Sequence, residues 1–173
     1  RYSSRRTQQV AFEGSDIYGC RIFQDRGWKS PRYHVGEGSL LFAQDRDVAE
    51  EKLPDVSRFA LHGNRGGEKG WNFYFAPQTY RWQKELPVFV RALVRAEGAL
   101  LAGGRPDTLL PDDPYAAFEG RTEGRMVALS AEDGSILWKR TLPSPPVMDG
   151  LIAADAVYAV TQDGRVLCYG AVE

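Results

Sequence analysis

Acidic side chains form the densest group in this chain that could do chemistry, and three of them lie in one segment rich in Gly and Pro. The segment reads "GRPDTLLPDDPYAAFEGRTEG" and spans residues 104–124. Asp107, Asp112 and Asp113 offer the hard oxygen ligands that calcium prefers. The order Pro-Asp-Asp-Pro lacks the alternating ligand spacing and central glycine of a calcium loop, and it is ordinary turn chemistry. We therefore expect no metal site here.

The other reactive residue types also lack a supporting pattern. His34 and His62 have no Cys, His or carboxylate at the spacing of a zinc site. The Gly-rich stretch "HGNRGGEKGW" at 62–71 fails the spacing of a phosphate-binding loop, and no helix-forming run follows it. The chain contains no Gly-x-Ser-x-Gly elbow that would tie a nucleophile to a base. The sequence thus predicts no catalytic residue and no cofactor-binding residue in this segment.

The two cysteines, Cys20 and Cys168, are too far apart for a CxxC metal or redox unit. Their separation leaves two alternatives, a long-range disulfide or two buried thiols. Each cysteine lies in a strand-like stretch, "IYGCRIF" or "RVLCYG", where this residue usually packs as a small hydrophobe. The pattern favours two buried thiols.

Composition excludes several classes of protein. Hydrophobic residues make up 43% and charged residues 26% of the chain, which are values of globular proteins. The net charge of −1 gives no field that would attract nucleic acid or anionic lipid, so we expect neither as a partner. No apolar run approaches the roughly 18 residues of a membrane span. Because the chain opens on Arg1, we treat it as a processed product or a piece of a longer polypeptide.

Elements must position the acidic segment, and the clearest local signals are Asp-Gly pairs between short runs that favour strands. Asp133-Gly134 lies in "MVALSAEDGSILWKR" and Asp163-Gly164 in "AVYAVTQDGRVLCYG", so each pair predicts a tight hairpin. Side chains alternate within the runs. On this alternation, Val127 and Leu129 share one face, and Ile136 and Trp138 share a face of the returning strand.

The chain also contains an internal repeat. "WQKELPV" resembles "WKRTLPSPPV", and the same number of residues separates Trp82 from Trp138 as separates Leu86 from Leu142. "ALVRAEGALLAGG" likewise resembles "GLIAADAVYAVTQ", which favours strands over the helix that Ala and Leu would allow. A period of about 40 to 45 residues with four strands is typical of a propeller blade. The period here is longer, and the excess lies in 104–124 as a loop between the second and third strands.

The stretch "ALSAEDGSILWKRTL" resembles the tryptophan-docking repeat of pyrroloquinoline-quinone-type propellers, which follows Ala-x-Asp-Ala-x-Thr-Gly-Lys-x-x-Trp. Four positions match: Ala128, Ala131, Gly134 and Trp138. Three positions depart: Ser130 replaces Asp, Asp133 replaces Thr and Ser135 replaces Lys. Trp82 stands at the docking position one blade earlier, and the resemblance extends over about 82 to 169.

This resemblance implies an all-β fold, a partial β-propeller of about two to three four-stranded antiparallel blades. The blades predicted on it are an irregular blade with an insertion at 1–85, a blade at 86–142 with the long loop 104–124, and an incomplete blade at 143–173. The N-terminal strand is a candidate for the missing fourth strand of the last blade. Trp82, Ala128, Gly134 and Trp138 are expected to be structural, with the indole as a plate between adjacent sheets.

The family includes periplasmic quinoprotein dehydrogenases and non-enzymatic propellers such as a lipoprotein of the outer-membrane assembly machinery. The resemblance implies a periplasmic or extracellular protein. The enzymes hold their quinone against a disulfide of adjacent cysteines, together with a metal ion and a catalytic Asp. This chain has no adjacent cysteine pair. We therefore expect a non-catalytic scaffold or binding module without cofactor. The alternative is a fragment of a dehydrogenase dependent on pyrroloquinoline quinone and calcium, whose active site lies in other blades.

Partners are expected to be other propeller blades or another protein chain, bound through loops on a rigid scaffold. Within 104–124, the predicted contact residues are Asp107, Asp112, Asp113 and Tyr115. A second candidate surface is aromatic and surrounds Trp71, Tyr74 and Tyr80. A carbohydrate-binding accessory domain is a third interpretation, based on the four Trp and eight Tyr of the chain.

Overall fold

The computed structural model describes residues 7–21, 36, 38–45 and 80–170, and within these ranges the chain forms eleven β-strands. The strands are β1 (Thr7–Glu13), β2 (Asp16–Arg21), β3 (Ser39–Asp45), β4 (Trp82–Leu86), β5 (Val88–Ala96), β6 (Ala99–Pro106), β7 (Gly124–Ser130), β8 (Ile136–Leu142), β9 (Pro146–Ala153), β10 (Val157–Thr161) and β11 (Val166–Tyr169). These ranges include no helix that is long and apolar enough to cross a membrane.

The strands form three separate antiparallel sheets in which neighbours in sequence are neighbours in space. Sheet 1 contains β1 to β4, sheet 2 contains β5 to β8, and sheet 3 contains β9 to β11. Each sheet is a meander, so every connection between paired strands joins neighbouring ends. The fold is a partial all-β propeller, as the sequence predicts.

Glycine turns close the hairpins that the Asp-Gly pairs predict. Gly134 has a φ of 72° and Gly164 a φ of 81°, a left-handed conformation that glycine adopts without steric cost. Asp133 is not left-handed, and five residues separate β7 from β8. The hairpins are confirmed, but the connection is wider than the two-residue turn that the Asp-Gly signal predicts. The amide of Gly134 donates to the carbonyl of Ser130 at 2.9 Å and closes this wider loop.

Two hydrophobic clusters hold the three sheets together. The cluster between sheets 1 and 2 includes Tyr18, Leu41 and Leu129, which are at most 1% exposed. The cluster between sheets 2 and 3 includes Met126 and Ala159, which are fully buried. Sheet 2 therefore buries both of its faces. This explains why β6 and β7 are apolar at nearly every position instead of alternating.

A bulge in β8 corrects the predicted alternation. Ala128 pairs with Trp138, but Leu129 pairs with Ile136, so Leu137 is an extra residue between the two pairs. Ile136 packs towards sheet 1 and Trp138 towards sheet 3. The prediction that Ile136 and Trp138 share a face is wrong, because one extra residue reverses the side of every residue beyond it.

Two further expectations are corrected by strand pairing and burial. β1 pairs with β2 in sheet 1, so Thr7–Glu13 is not the fourth strand of sheet 3. Both cysteines are free thiols, and Cys20 is buried as expected while Cys168 is exposed. Cys168 lies on β11 between Leu167 and Tyr169, which pack against sheet 2, so its own side chain faces away from that sheet.

Candidate functional site

The connection between β6 and β7, residues 107–123, is the longest connection within the sheets at residues 80–170, and we call it the β6–β7 loop. Successive backbone hydrogen bonds order it. The amide of Ala116 donates to the carbonyl of Asp113, and the amide of Glu119 donates to the carbonyl of Tyr115 at 2.9 Å. The amide of Arg121 donates to the carbonyl of Ala116 at 2.8 Å. The loop is thus a folded unit on the propeller edge.

The N-terminal end of the loop is fixed to sheet 1 by a buried carboxylate. Asp107 is 3% exposed. Its Oδ2 accepts hydrogen bonds from the backbone amides of Gly36 at 3.0 Å and Gly38 at 2.5 Å. Hydrogen bonds from backbone amides to a carboxylate are among the stronger ones in proteins. Asp107 therefore links sheet 2 to the connection that precedes β3.

The C-terminal end of the loop is fixed to the start of sheet 3. The hydroxyl of Ser144, a buried residue, donates to the carbonyl of Gly120 at 3.2 Å. A Cβ on Gly120 would lie 2.1 Å from the side-chain oxygen of Gln162, so only glycine allows this close approach. The loop is thus held at both ends by different sheets.

Arg121 organises the exposed acidic side of the loop. Its guanidinium donates to both carboxylate oxygens of Asp113 and pairs with Glu119 at 2.5 Å. These hydrogen bonds lower the pKa of the Asp113 carboxyl and raise the pKa of Arg121. All three side chains remain between 39% and 53% exposed, so solvent screens the pairs and they fix geometry more than they add stability.

Four large apolar side chains of the loop are exposed to solvent. The exposed fraction is 56% for Leu109, 43% for Leu110, 67% for Tyr115 and 64% for Phe118. The Phe118 ring lies 6.0 Å from the guanidinium of Arg105, which is itself buried over the Phe89 ring at 4.3 Å. An ordered loop that exposes several large apolar side chains is typical of an interaction surface.

The structure separates the four predicted contact residues into two groups. Asp112 and Tyr115 are exposed and Asp113 is partly exposed, so all three are accessible. Asp107 is corrected, because its carboxylate is buried and occupied by two backbone amides. The prediction also missed the apolar members of the surface, Leu109, Leu110 and Phe118. Their clustering with Tyr115 in one Pro-rich segment was the available signal.

Trp82, one of the predicted docking residues, lies at the contact between sheets 1 and 2. Its ring is buried, and its indole nitrogen donates to the carbonyl of Ala131 at 2.9 Å. A Cβ on Gly134 would lie 2.6 Å from a ring carbon of Trp82. The indole therefore packs on the bare backbone of the β7–β8 connection, where any side chain larger than glycine would collide.

Trp138 and Ala128 lie at the contact between sheets 2 and 3. Ala128 is fully buried and pairs with Trp138 across the two strands. The guanidinium of Arg140 lies over the rings of both Trp138 and Tyr169, at 5.8 and 5.2 Å. A cavity of about 230 Å³ borders Trp138, and alanines such as Ala153 line much of it. The structure thus places the two tryptophans at different sheet contacts.

Several predicted residues lie outside the described residues: Trp71, Tyr74, His34, His62 and the Gly-rich stretch 62–71. Tyr80 is described and partly buried, with its hydroxyl 2.7 Å from a donating nitrogen of Arg21. Its ring centroid lies 4.8 Å from that of Phe42. Tyr80 thus belongs to the edge of sheet 1. Within the described part of the chain, no three His, Cys, Asp or Glu side chains form a group that could hold a metal ion.

Comparison with known families gives one match. The family model described as outer membrane protein assembly factor BamB, a model of the PQQ-repeat type, matches residues 57–172, which is more than half of the chain. The matched range includes β4 and all of sheets 2 and 3, and therefore the whole β6–β7 loop. A comparison with curated proteins finds no match.

Proposed function

The chain belongs to the PQQ-repeat family whose model is described as outer membrane protein assembly factor BamB, and on this premise we propose that it is a non-catalytic binding module. Binding uses the β6–β7 loop, and the partner is a protein chain. The three sheets act as the scaffold that holds the loop in one shape.

One observation carries this proposal: the β6–β7 loop is ordered by its own hydrogen bonds and fixed at both ends, yet it exposes four large apolar side chains. A flexible loop would lose conformational entropy on binding, whereas a fixed loop meets its partner already in its bound shape. Large exposed apolar and aromatic side chains are the residue types that supply most binding energy at protein interfaces.

The scaffold has its own proposed parts. We infer that the blades predicted at 1–85, 86–142 and 143–173 correspond to sheets 1, 2 and 3, although Leu86 is the last residue of β4 and pairs within sheet 1. Trp82 and Trp138 dock neighbouring blades, and Gly134 and Ala128 leave room for them. The geometry of Trp82 against Ala131 and Gly134 supports this role.

The family description also supports a proposed location. It names an outer membrane protein assembly factor, so we propose that this chain acts in the periplasm or outside the cell. Its partners there are proteins or further propeller blades. The exposed thiol of Cys168 is compatible with either setting and carries no argument for it.

Site-specific photo-crosslinking tests the proposed binding surface. A photoreactive benzoyl-phenylalanine replaces Tyr115 in the full-length protein, and a matched control carries it in place of Lys139, which is exposed on β8. We expect irradiation in cells of the source organism to give a discrete protein adduct from position 115 and none from position 139. Equal adducts from both positions, or none from position 115, would overturn the proposal.

A second measurement tests the non-catalytic part of the proposal. The full-length protein is mixed with pyrroloquinoline quinone and calcium, and dye-linked alcohol oxidation is recorded. We expect no turnover above that of the free quinone. Stoichiometric quinone binding with turnover would instead support the dehydrogenase alternative.

A further inference from the structure

The exposed surface of the β6–β7 loop combines its apolar side chains with an excess of negative charge. Four accessible acidic residues belong to it: Asp112, Asp113, Glu119 and Glu123. Arg121 is the one basic residue of the loop, and it is shared between Asp113 and Glu119. One guanidinium carries a single positive charge, so this triad keeps one negative charge.

The remaining acids leave the excess in place. Glu123 is neutralised by Arg125 at 3.0 Å. Asp112 makes no ion pair with any residue in the described part of the chain. Together with the triad, Asp112 leaves an accessible excess of about two negative charges on the loop at neutral pH.

The apolar side chains are placed on the same small unit. The hydrogen bond from the amide of Glu119 to the carbonyl of Tyr115 closes one turn, and it brings Tyr115 and Phe118 to neighbouring positions. Residues three apart on such a turn lie on one side of it. Leu110 is joined to Asp113 by a backbone bridge, so an apolar residue and an acidic residue are fixed next to each other.

We propose that the loop binds a protein segment that carries apolar side chains interspersed with Lys or Arg. The apolar side chains of such a segment cover Leu110, Tyr115 and Phe118, and its cations meet Asp112 and the Arg121 triad. This inference rests on the proposed function, because it names the class of partner for the same loop. Complementary charge sets the rate and register of binding, while apolar contact supplies most of the affinity.

The same charge excludes two other classes of macromolecule as occupants. Nucleic acid presents a phosphate on every nucleotide, and binding depends on neutralising phosphates with basic side chains. Anionic membrane surfaces attract basic segments and repel acidic ones. Neither fits a loop with four accessible carboxylates and one guanidinium.

Three synthetic peptides of equal length test the proposal against the full chain. They share one pattern of Leu, Phe and Tyr, and the positions between carry Lys and Arg, Glu, or Gln and Ser. Binding is measured by fluorescence anisotropy at low and at physiological salt. We expect the basic peptide to bind at least tenfold more tightly than the other two, and its affinity to fall several-fold between the two salt concentrations. Equal affinity of the three peptides would overturn the proposal.

Matched variants assign the binding to the loop. Leu110→Ser and Phe118→Ser should each weaken the basic peptide at least fivefold, and Asp112→Asn about twofold to threefold with a weaker salt dependence. Ile152→Ser, which changes an equally exposed apolar residue of sheet 3, is the control and should leave binding unchanged. All four residues are exposed, so unchanged thermal unfolding verifies the fold. Hydrogen exchange should slow at 108–121 when the basic peptide is bound.

The outcomes also separate this inference from the proposed function. If crosslinking at position 115 yields a partner but the peptides show no preference for positive charge, the partner class is wrong and the binding role stands. If the Ile152→Ser variant loses binding as strongly as Phe118→Ser, the peptide does not bind the loop and the inference fails.

Discussion

The two contacts between sheets use the same residue type in the same position of the repeat, but they are packed differently. At the contact between sheets 1 and 2, Trp82 is 7% exposed, hydrogen-bonded to Ala131 and covered by Gly134. At the contact between sheets 2 and 3, Trp138 is partly exposed and borders a cavity of about 230 Å³. A tryptophan therefore seals a sheet contact only where a turn with a bare backbone covers it.

Polar interactions reinforce the first contact and are fewer at the second. Arg81 pairs with Asp16 at 2.9 Å and its guanidinium lies 5.9 Å from the Tyr18 ring. Arg95 stacks on the other side of this contact, 5.6 Å from the same ring, and pairs with Glu13 at 2.5 Å. In the register of "GRMVALSA" and "GRVLCYGA", the position of Ala131 corresponds to Ala171, which lies outside the described residues. The difference identifies the first contact as the stability centre of the fold.

The largest expected effect comes from removing the two indoles in turn. Trp82→Ala should lower the free energy of unfolding by about 3–5 kcal/mol, because a buried, hydrogen-bonded ring leaves a cavity. Trp138→Ala should cost about half as much, because this ring already borders a cavity and solvent. Urea unfolding of both variants measures the difference. Equal losses would mean that the two contacts are equally packed.

A pair of glycines isolates the role of the β7–β8 connection. Gly134→Ala combines left-handed strain with a collision against Trp82, whereas Gly164→Ala has a similar φ and nothing within 4 Å of the added carbon. We expect a cost of about 1 kcal/mol for Gly164→Ala and about 1–3 kcal/mol more for Gly134→Ala. Calorimetric unfolding checks both values. In a Trp82→Ala background the additional cost should disappear, since the colliding ring is gone.

A smaller effect is expected from pH at the first contact. The hydrogen bond with Arg81 lowers the pKa of Asp16 below its ordinary value of 3.8. The folded chain therefore binds this proton less tightly than the unfolded chain. The stabilisation is complete above pH 3.8 and is lost as the pH falls through the lowered pKa.

Asp16→Asn tests this pH dependence. The variant should lose about 0.5–1 kcal/mol at pH 7, the size of a partly exposed pair. The difference from the unaltered protein should shrink between pH 4 and pH 2, which unfolding curves measured at each pH will show. Arg81→Gln should give the same profile, and the double variant should add little to either change. A difference that is constant with pH would contradict the role of this pair.

The smallest effect on stability is expected from thiol modification, which reports on the same contrast. Burial raises the pKa of the Cys20 thiol to about 12, and the thiolate is the reactive form. Cys168 is exposed on sheet 3. Iodoacetamide at pH 8 should therefore modify one thiol in the folded protein and two in urea, as counted by mass spectrometry. A Cys168→Ser variant should show no modification until it unfolds.

Local patterns were sufficient to predict most of the fold. The strands of sheets 2 and 3 follow from alternation and from turns at Gly98, Gly134 and Gly164, which depend only on neighbouring residues. The Ile136 and Trp138 prediction failed because a bulge is a property of the paired strand as well as of its own sequence. The site was predicted less well, since exposure depends on what packs over each side chain.

The sequence by itself determined the strand order, the hairpins and the loop that carries the proposed binding surface, because these depend on residues close together in the chain. Only the tertiary structure decided which of the loop's aspartates is accessible. Asp107 is buried by the amides of Gly36 and Gly38, which are distant in sequence, whereas Asp112 is exposed. It also decided the fates of Trp82 and Trp138, since burial is a property of the segments that meet in space.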